Sequence, residues 1–126
     1  MIHLDTNLLI DLVTIGSPHI ALIRRWLRQG ELLAASAIAW SEFCNGPHSK
    51  EQKDAVFAVL EQRVVDFTRQ QAETASRLFH YTGRRRGSHA DCMIAAAALA
   101  AASLLALSAG AAHGAPAAHR QPGGGR

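Results

Sequence analysis

Three acids stand at the ends of segments that read as regular structure. Asp5 follows the apolar run Ile2-His3-Leu4, Glu42 lies inside AIAWSEFCN, and Asp91 lies in SHADCMIAAAAL. Carboxylates that a fold brings together make a negatively charged oxygen site, and in open α/β sheets ligands gather outside the carboxyl ends of the strands. Asp5 has that position. Glu42 comes four residues after Ile38 and shares its helix face. Asp91 falls on a first helical turn, where the helix dipole favours an acid. Each acid also has an ordinary use: Asp5 as a cap of the next helix, Glu42 as a solvated helix residue, Asp91 as an N-terminal helix acid. Asp11, Asp54, Glu61, Asp66 and Glu73 read as surface or cap residues.

Other chemistries are poorly served. The seven histidines include no H-x-x-x-H pair, so a histidine zinc site has little basis. Ser36, Ser41 and Ser88 lack a G-x-S-x-G setting, and there is no Walker-type phosphate loop. Cys44 and Cys92 do not make a disulfide framework, which leaves a reducing cytoplasm as the expectation. MIHLDTNLLIDLV lacks the basic start of a signal peptide and is interrupted by Asp5 and Asp11. The uncharged tract after Asp91 is rich in Ala, Gly and Ser and makes a poor membrane span. A net charge of +3 permits a polyanionic partner without requiring one.

The elements that must position the acids follow from punctuation and periodicity. Ile2 to Leu4 reads as a strand, and Thr6 or Asn7 as the cap of a short helix through Leu8, Leu9, Leu12 and Val13. Ser17 suits an N-cap, Pro18 the first helical position and Gly30 the residue past the end. Between them Ile20, Ile23, Trp26 and Leu27 share a face, with Arg24, Arg25 and Arg28 off it. Leu32 to Ala35 reads as a buried strand, and Ser36 caps the helix that Gly46-Pro47 closes. A helix over about 49–62 turns Val56, Val59 and Leu60 inward, and a strand follows over 64–67. Thr68 with Gln71 has capping-box spacing for a helix reaching Tyr81. Ser88 or His89 opens the helix of Asp91, and 103–107 makes a last strand. Alternating strands and helices give an α/β fold with a mainly parallel sheet. One domain over 1–109 and a disordered, non-periodic tail over 110–126 are expected.

L-D-T-N at Leu4 to Asn7 after a strand, S-E-F at Ser41 to Phe43 and D-C-M-I-A-A-A-A-L at Asp91 to Leu99 resemble, in order and spacing, the successive signatures of PIN-domain ribonucleases. The layout is similar to the VapC toxins of type II toxin–antitoxin pairs, over roughly 1–102. The resemblance implies a PIN-like three-layer α/β/α fold and an endoribonuclease that depends on Mg²⁺ or Mn²⁺ and acts on structured RNA, tRNA or rRNA. It implies Asp5, Glu42 and Asp91 as catalytic and metal-site acids, with Asp5 and Asp91 the direct ligands and Glu42 acting partly through water. Clustered carboxylates need a cation to remain ionised together, and hard oxygens suit these ions. Asn7 and Ser41 are supporting residues. Arg84, Arg85 and Arg86 either contact the RNA backbone or form a solvated loop. A VapB-like antitoxin, a homodimer, a cytoplasmic location and no membrane complete the expectation.

The resemblance breaks after the third signature. The chain contains no Asp or Glu after Asp91 and no aromatic residue after Tyr81. The family's T-x-N or T-x-D motif falls on Leu107 and Ala109, or with one inserted residue on Ser108 and Gly110. The last strand and helix are therefore expected to be incomplete. GAAHGAPAAHRQPGGGR has the composition of a GC-rich gene read in a shifted frame. The alternative function is a catalytically impaired PIN-like module that only binds antitoxin or RNA. An unrelated α/β binding domain, with the acids as caps, is a third reading.

Overall fold

A computed structural model describes residues 1–82, 88–101 and 103–107. Its centre is a four-stranded sheet in the order β3-β2-β1-β4, built from β1 (Ile2–Leu4), β2 (Leu33–Ser36), β3 (Val64–Val65) and β4 (Leu104–Ala106). Every pairing is parallel. Ile2 is in register with Leu33 on one side and Leu104 on the other. β1 and β2 are buried along their whole lengths, as strands covered by helices on both faces must be. The expected α/β fold with a parallel sheet is present, and helices flank the sheet. The boundary expected near 109 and the tail lie outside the described residues, as do Arg84, Arg85 and Arg86.

The helices are α1 (Thr6–Asp11), α2 (Ile20–Arg28), α3 (Ala37–Cys44), α4 (Lys50–Val59), α5 (Arg69–Tyr81) and α6 (His89–Ala100). Ser36 caps α3 by accepting the Ala39 N–H. Ser49 with Gln52, Thr68 with Gln71 and Ser88 with Asp91 form reciprocal capping boxes on α4, α5 and α6. Several boundaries differ from expectation. α2 starts after His19, because Ser17 accepts the His19 N–H in a tight turn instead of capping the helix. Leu27 is 44% exposed, so Ile23 and Trp26 carry that helix's burial. Leu32 is also exposed and β2 starts one residue later. α4 stops at Val59, because Glu61 (φ 50) and Gln62 (φ 66) take left-handed conformations that a helix cannot continue through. Gly30, at φ 80, ends α2 as its position suggests.

The main core joins Leu4, Leu8, Leu9, Leu33, Phe43, Leu60 and Ile94 across the sheet. A second cluster lies between α5 and α6, where Ala75, Cys92 and Ala96 meet Phe67, Leu78, Phe79 and Met93. The alanines of α6 thus have a packing role: Ala96, Ala97 and Ala98 are all buried. Asp11 and His19 pair at 2.6 Å and tie the end of α1 to the start of α2.

His3, in β1, is fully buried, and among the described residues neither ring nitrogen has a hydrogen-bond partner. Burial first, and the N-terminal ammonium second, push its pKa below the ordinary 6.5. As pH falls, the unfolded chain therefore takes up this proton before the folded one does. The stability tied to His3 is full above pH 6.5 and is lost below it, until the folded pKa is passed. His3→Leu is expected to stabilise the fold by about 1–3 kcal/mol, the desolvation cost of an unmade hydrogen bond. It should also flatten the acid limb of stability against pH. Urea unfolding of both proteins across that limb checks this; parallel curves would rule it out.

Candidate functional site

The parallel topology sends all three acids toward one edge of the sheet. Asp5 is the residue after β1, and α3 leaves directly from the carboxyl end of β2. α6 leads through residues 101–103 into the amino end of β4, so its own start lies at the opposite, carboxyl end. This is the edge where open α/β sheets place their ligands.

Asp5 is held more firmly than its neighbours. Its N–H donates to the Ala106 carbonyl at 3.1 Å, which extends the β1–β4 pairing. Its Oδ1 accepts the Leu8 N–H at 2.9 Å, making Asp5 the N-cap of α1. Its fractional exposure is 9%. The cap was expected from Thr6 or Asn7. Asp5 fills it because the residue with extended backbone is the one whose side chain reaches the third N–H onward.

Thr6 is thereby released for another contact. Its hydroxyl donates to Glu42 Oε1 at 2.5 Å, across 36 residues of sequence. This bond brings the Glu42 carboxylate against the residue next to Asp5. Glu42 itself is exposed, while Phe43 beside it is fully buried and fixes the rotation of α3. Thr6 is the functional candidate that sequence reading missed. The available signal was the spacing Asp5-x-x-Leu8, which lets Asp5 serve as cap and leaves the threonine hydroxyl uncommitted.

Asp91 stands in the first turn of α6 and is exposed. Its Oδ2 accepts the Ser88 N–H at 2.9 Å while its own N–H donates to Ser88 Oγ. The helix-terminal use of this acid is thus real. Asn7 and Ser41 are both exposed, one beside Thr6 and the other beside Glu42. Among the described residues, no three His, Cys, Asp or Glu side chains form a metal-holding group. Hydrogen bonding draws Glu42 to the Asp5–Thr6 segment and leaves Asp91 at its helix cap. The donor chemistry nevertheless fits Mg²⁺ or Mn²⁺. Mg²⁺ keeps several waters and commonly takes only one or two protein carboxylates, substrate phosphate supplying the rest.

The surroundings narrow the chemistry further. Burial, and then the Asp91 charge, push the Cys92 thiol up, so it is no thiolate nucleophile near neutral pH. An open groove of about 500 Å³ between α1 and α2, lined by residues including Leu12, Ile15, Ile20 and Arg24, contains none of the three acids. Among the described residues no helix is long and apolar enough to cross a membrane.

The sequence profile of the PIN domain matches residues 2–114. No curated protein matches the chain. Solved structures share the fold at low identity. FitAcB from Neisseria gonorrhoeae is 21% identical with a TM-score of 0.63, over 90% of this chain and 92% of that one. VapC20 from Mycobacterium tuberculosis, described as a toxin cleaving the sarcin-ricin loop, is 16% identical with a TM-score of 0.62, over 82% and 85%. VapBC2 from Rickettsia felis, solved with a fragment of its promoter DNA, is 21% identical with a TM-score of 0.60, over 86% and 89%.

Proposed function

Because the chain belongs to the PIN-domain family, whose members are generally nucleases, we propose that it is a metal-dependent endoribonuclease, the toxin of a type II toxin–antitoxin pair. The observation that carries the reading is the Asp5–Thr6–Glu42 arrangement at the carboxyl edge of a parallel sheet. Asp5 and Glu42 are the acids to hold Mg²⁺ or Mn²⁺, and Asp91 is the third, reaching from the first turn of α6. When bound, such an ion polarises a phosphodiester oxygen and makes a water more acidic. The chain's own part is to fix these carboxylates: Asp5 through its cap and strand bonds, Glu42 through Thr6. Asn7 and Ser41 are exposed beside them and suit orientation of water or RNA. Arg84, Arg85 and Arg86 are proposed to meet the RNA backbone. The expected substrate is a structured RNA, tRNA or rRNA. The expected partners are a VapB-like antitoxin and a second copy of the chain, in the cytoplasm.

The test is incubation of the purified, partner-free chain with tRNA and rRNA pools in Mg²⁺, Mn²⁺ or EDTA. Discrete cleavage in metal and none in EDTA is expected. Equal cleavage in EDTA would sink the metal-dependent reading.

A second reading has its own observation. Asp91 is engaged at its cap and no three-ligand group forms among the described residues, while the chain supplies no acid beyond Asp91. These facts favour a module that binds antitoxin or RNA with little catalysis. Metal-independent RNA binding by a folded chain that cuts neither pool is its signature.

A further inference from the structure

Glu42 is exposed, and among the described residues no Lys or Arg forms an ion pair with it. A long, exposed glutamate has many rotamers open to it, and fixing one of them costs conformational entropy. Among the described residues, the hydrogen bond to its carboxylate comes from Thr6. Thr6 is well suited to give it. It is β-branched and stiff at its first side-chain torsion. As the first residue of α1 it follows the cap, and Asp5 already supplies the side-chain acceptor for the Leu8 N–H. The threonine hydroxyl therefore has no capping duty and donates across to α3. Its single proton goes to Oε1, which leaves Oε2 without that donor.

We propose that Thr6 is the positioning residue of the site: its hydroxyl holds Glu42 in one orientation beside Asp5, so that the two acids present a preformed pair to a divalent cation. The proposal rests on the metal-site reading above and assigns a role to a residue between the expected acids. A purely structural clasp between α1 and α3 is the competing account. That account predicts an effect on unfolding and none on ion affinity. An exposed contact of this kind adds little to stability, so the two accounts separate cleanly.

The test uses the full chain without RNA, with Mn²⁺ affinity read by titration calorimetry or electron paramagnetic resonance. Thr6→Val keeps shape and removes the donor. It is expected to weaken Mn²⁺ binding about 10- to 100-fold, as loss of an outer partner of a metal ligand does. Its denaturation midpoint should stay near that of the parent. Thr6→Ser restores the donor and should regain most of the affinity. In a Glu42→Gln background, Thr6→Val should cause no further loss. Parent-like Mn²⁺ affinity in Thr6→Val would overturn the proposal, as would a lowered midpoint with unchanged affinity. Equal losses from Thr6→Val with and without Glu42→Gln would overturn it too, while leaving the metal-site reading intact. A parent chain that binds no Mn²⁺ would overturn both.

Discussion

Asp5→Asn is expected to slow metal-dependent RNA cleavage by on the order of a hundredfold or more while leaving the fold in place. The two halves of that expectation have separate causes. Asn and Asp cap helices about equally well, so the amide oxygen can still accept the Leu8 N–H. The backbone bond to Ala106 does not involve the side chain at all. What changes is one negative charge at the carboxyl edge of the sheet, where the proposed divalent cation would need it. Asp5→Ala is the instructive contrast, because it removes charge and cap together and should cost about 1 kcal/mol of stability besides. Single-turnover cleavage of a sensitive RNA, with urea unfolding of the same samples, checks both halves. Parent-like cleavage by a folded Asp5→Asn protein would remove Asp5 from the catalytic group.

Phe43→Ala is expected to be the most damaging single truncation near the site, costing about 3–5 kcal/mol. Phe43 is fully buried, stacked on His48 at 4.4 Å between ring centres and tilted against Trp40 at 5.4 Å. Its removal opens a cavity under α3. A small domain has about 5–15 kcal/mol of stability in total, so the variant should unfold at markedly lower denaturant. The loss should also reach the site. Phe43 fixes the rotation of the helix on which Glu42 meets Thr6, so the folded fraction should cleave less well than its population alone accounts for. Denaturation midpoints, with cleavage scaled to folded protein, separate the two effects. A shift below 1 kcal/mol would mean that α3 is held by contacts other than this ring.

Much of the fold was legible because its signals are local. Ser49 with Gln52, Thr68 with Gln71 and Ser88 with Asp91 sit three apart, and each pair forms the capping box that this spacing allows. Gly30 ended α2 for an equally local reason. Failures came where local signals tie or where distant residues decide. Asp5, Thr6 and Asn7 are all competent caps, and only the backbone turn after β1 selects Asp5. No sequence cue marks Glu61 and Gln62 for left-handed conformations. The site was legible as residue types and order, not as contacts: the Thr6–Glu42 bond joins residues whose proximity depends on β1 lying beside β2. His3 reads as one more polar residue in an apolar run, yet the sheet buries it with no hydrogen-bond partner among the described residues.

The pairing of β1 with β4 has a consequence for the order of folding. Ile2 lies in register with Leu104, and the Asp5 N–H is bonded to Ala106. The first strand described thus lies inside the sheet, and one of its two neighbours is the last strand described. Contacts this distant in sequence form late and slow folding. Asp5 cannot be fixed in its final setting until residue 106 is free to pair. Completion of the carboxyl edge on which Asp5 stands is therefore a late step of folding, because it waits for the most distant strand pairing in the sheet.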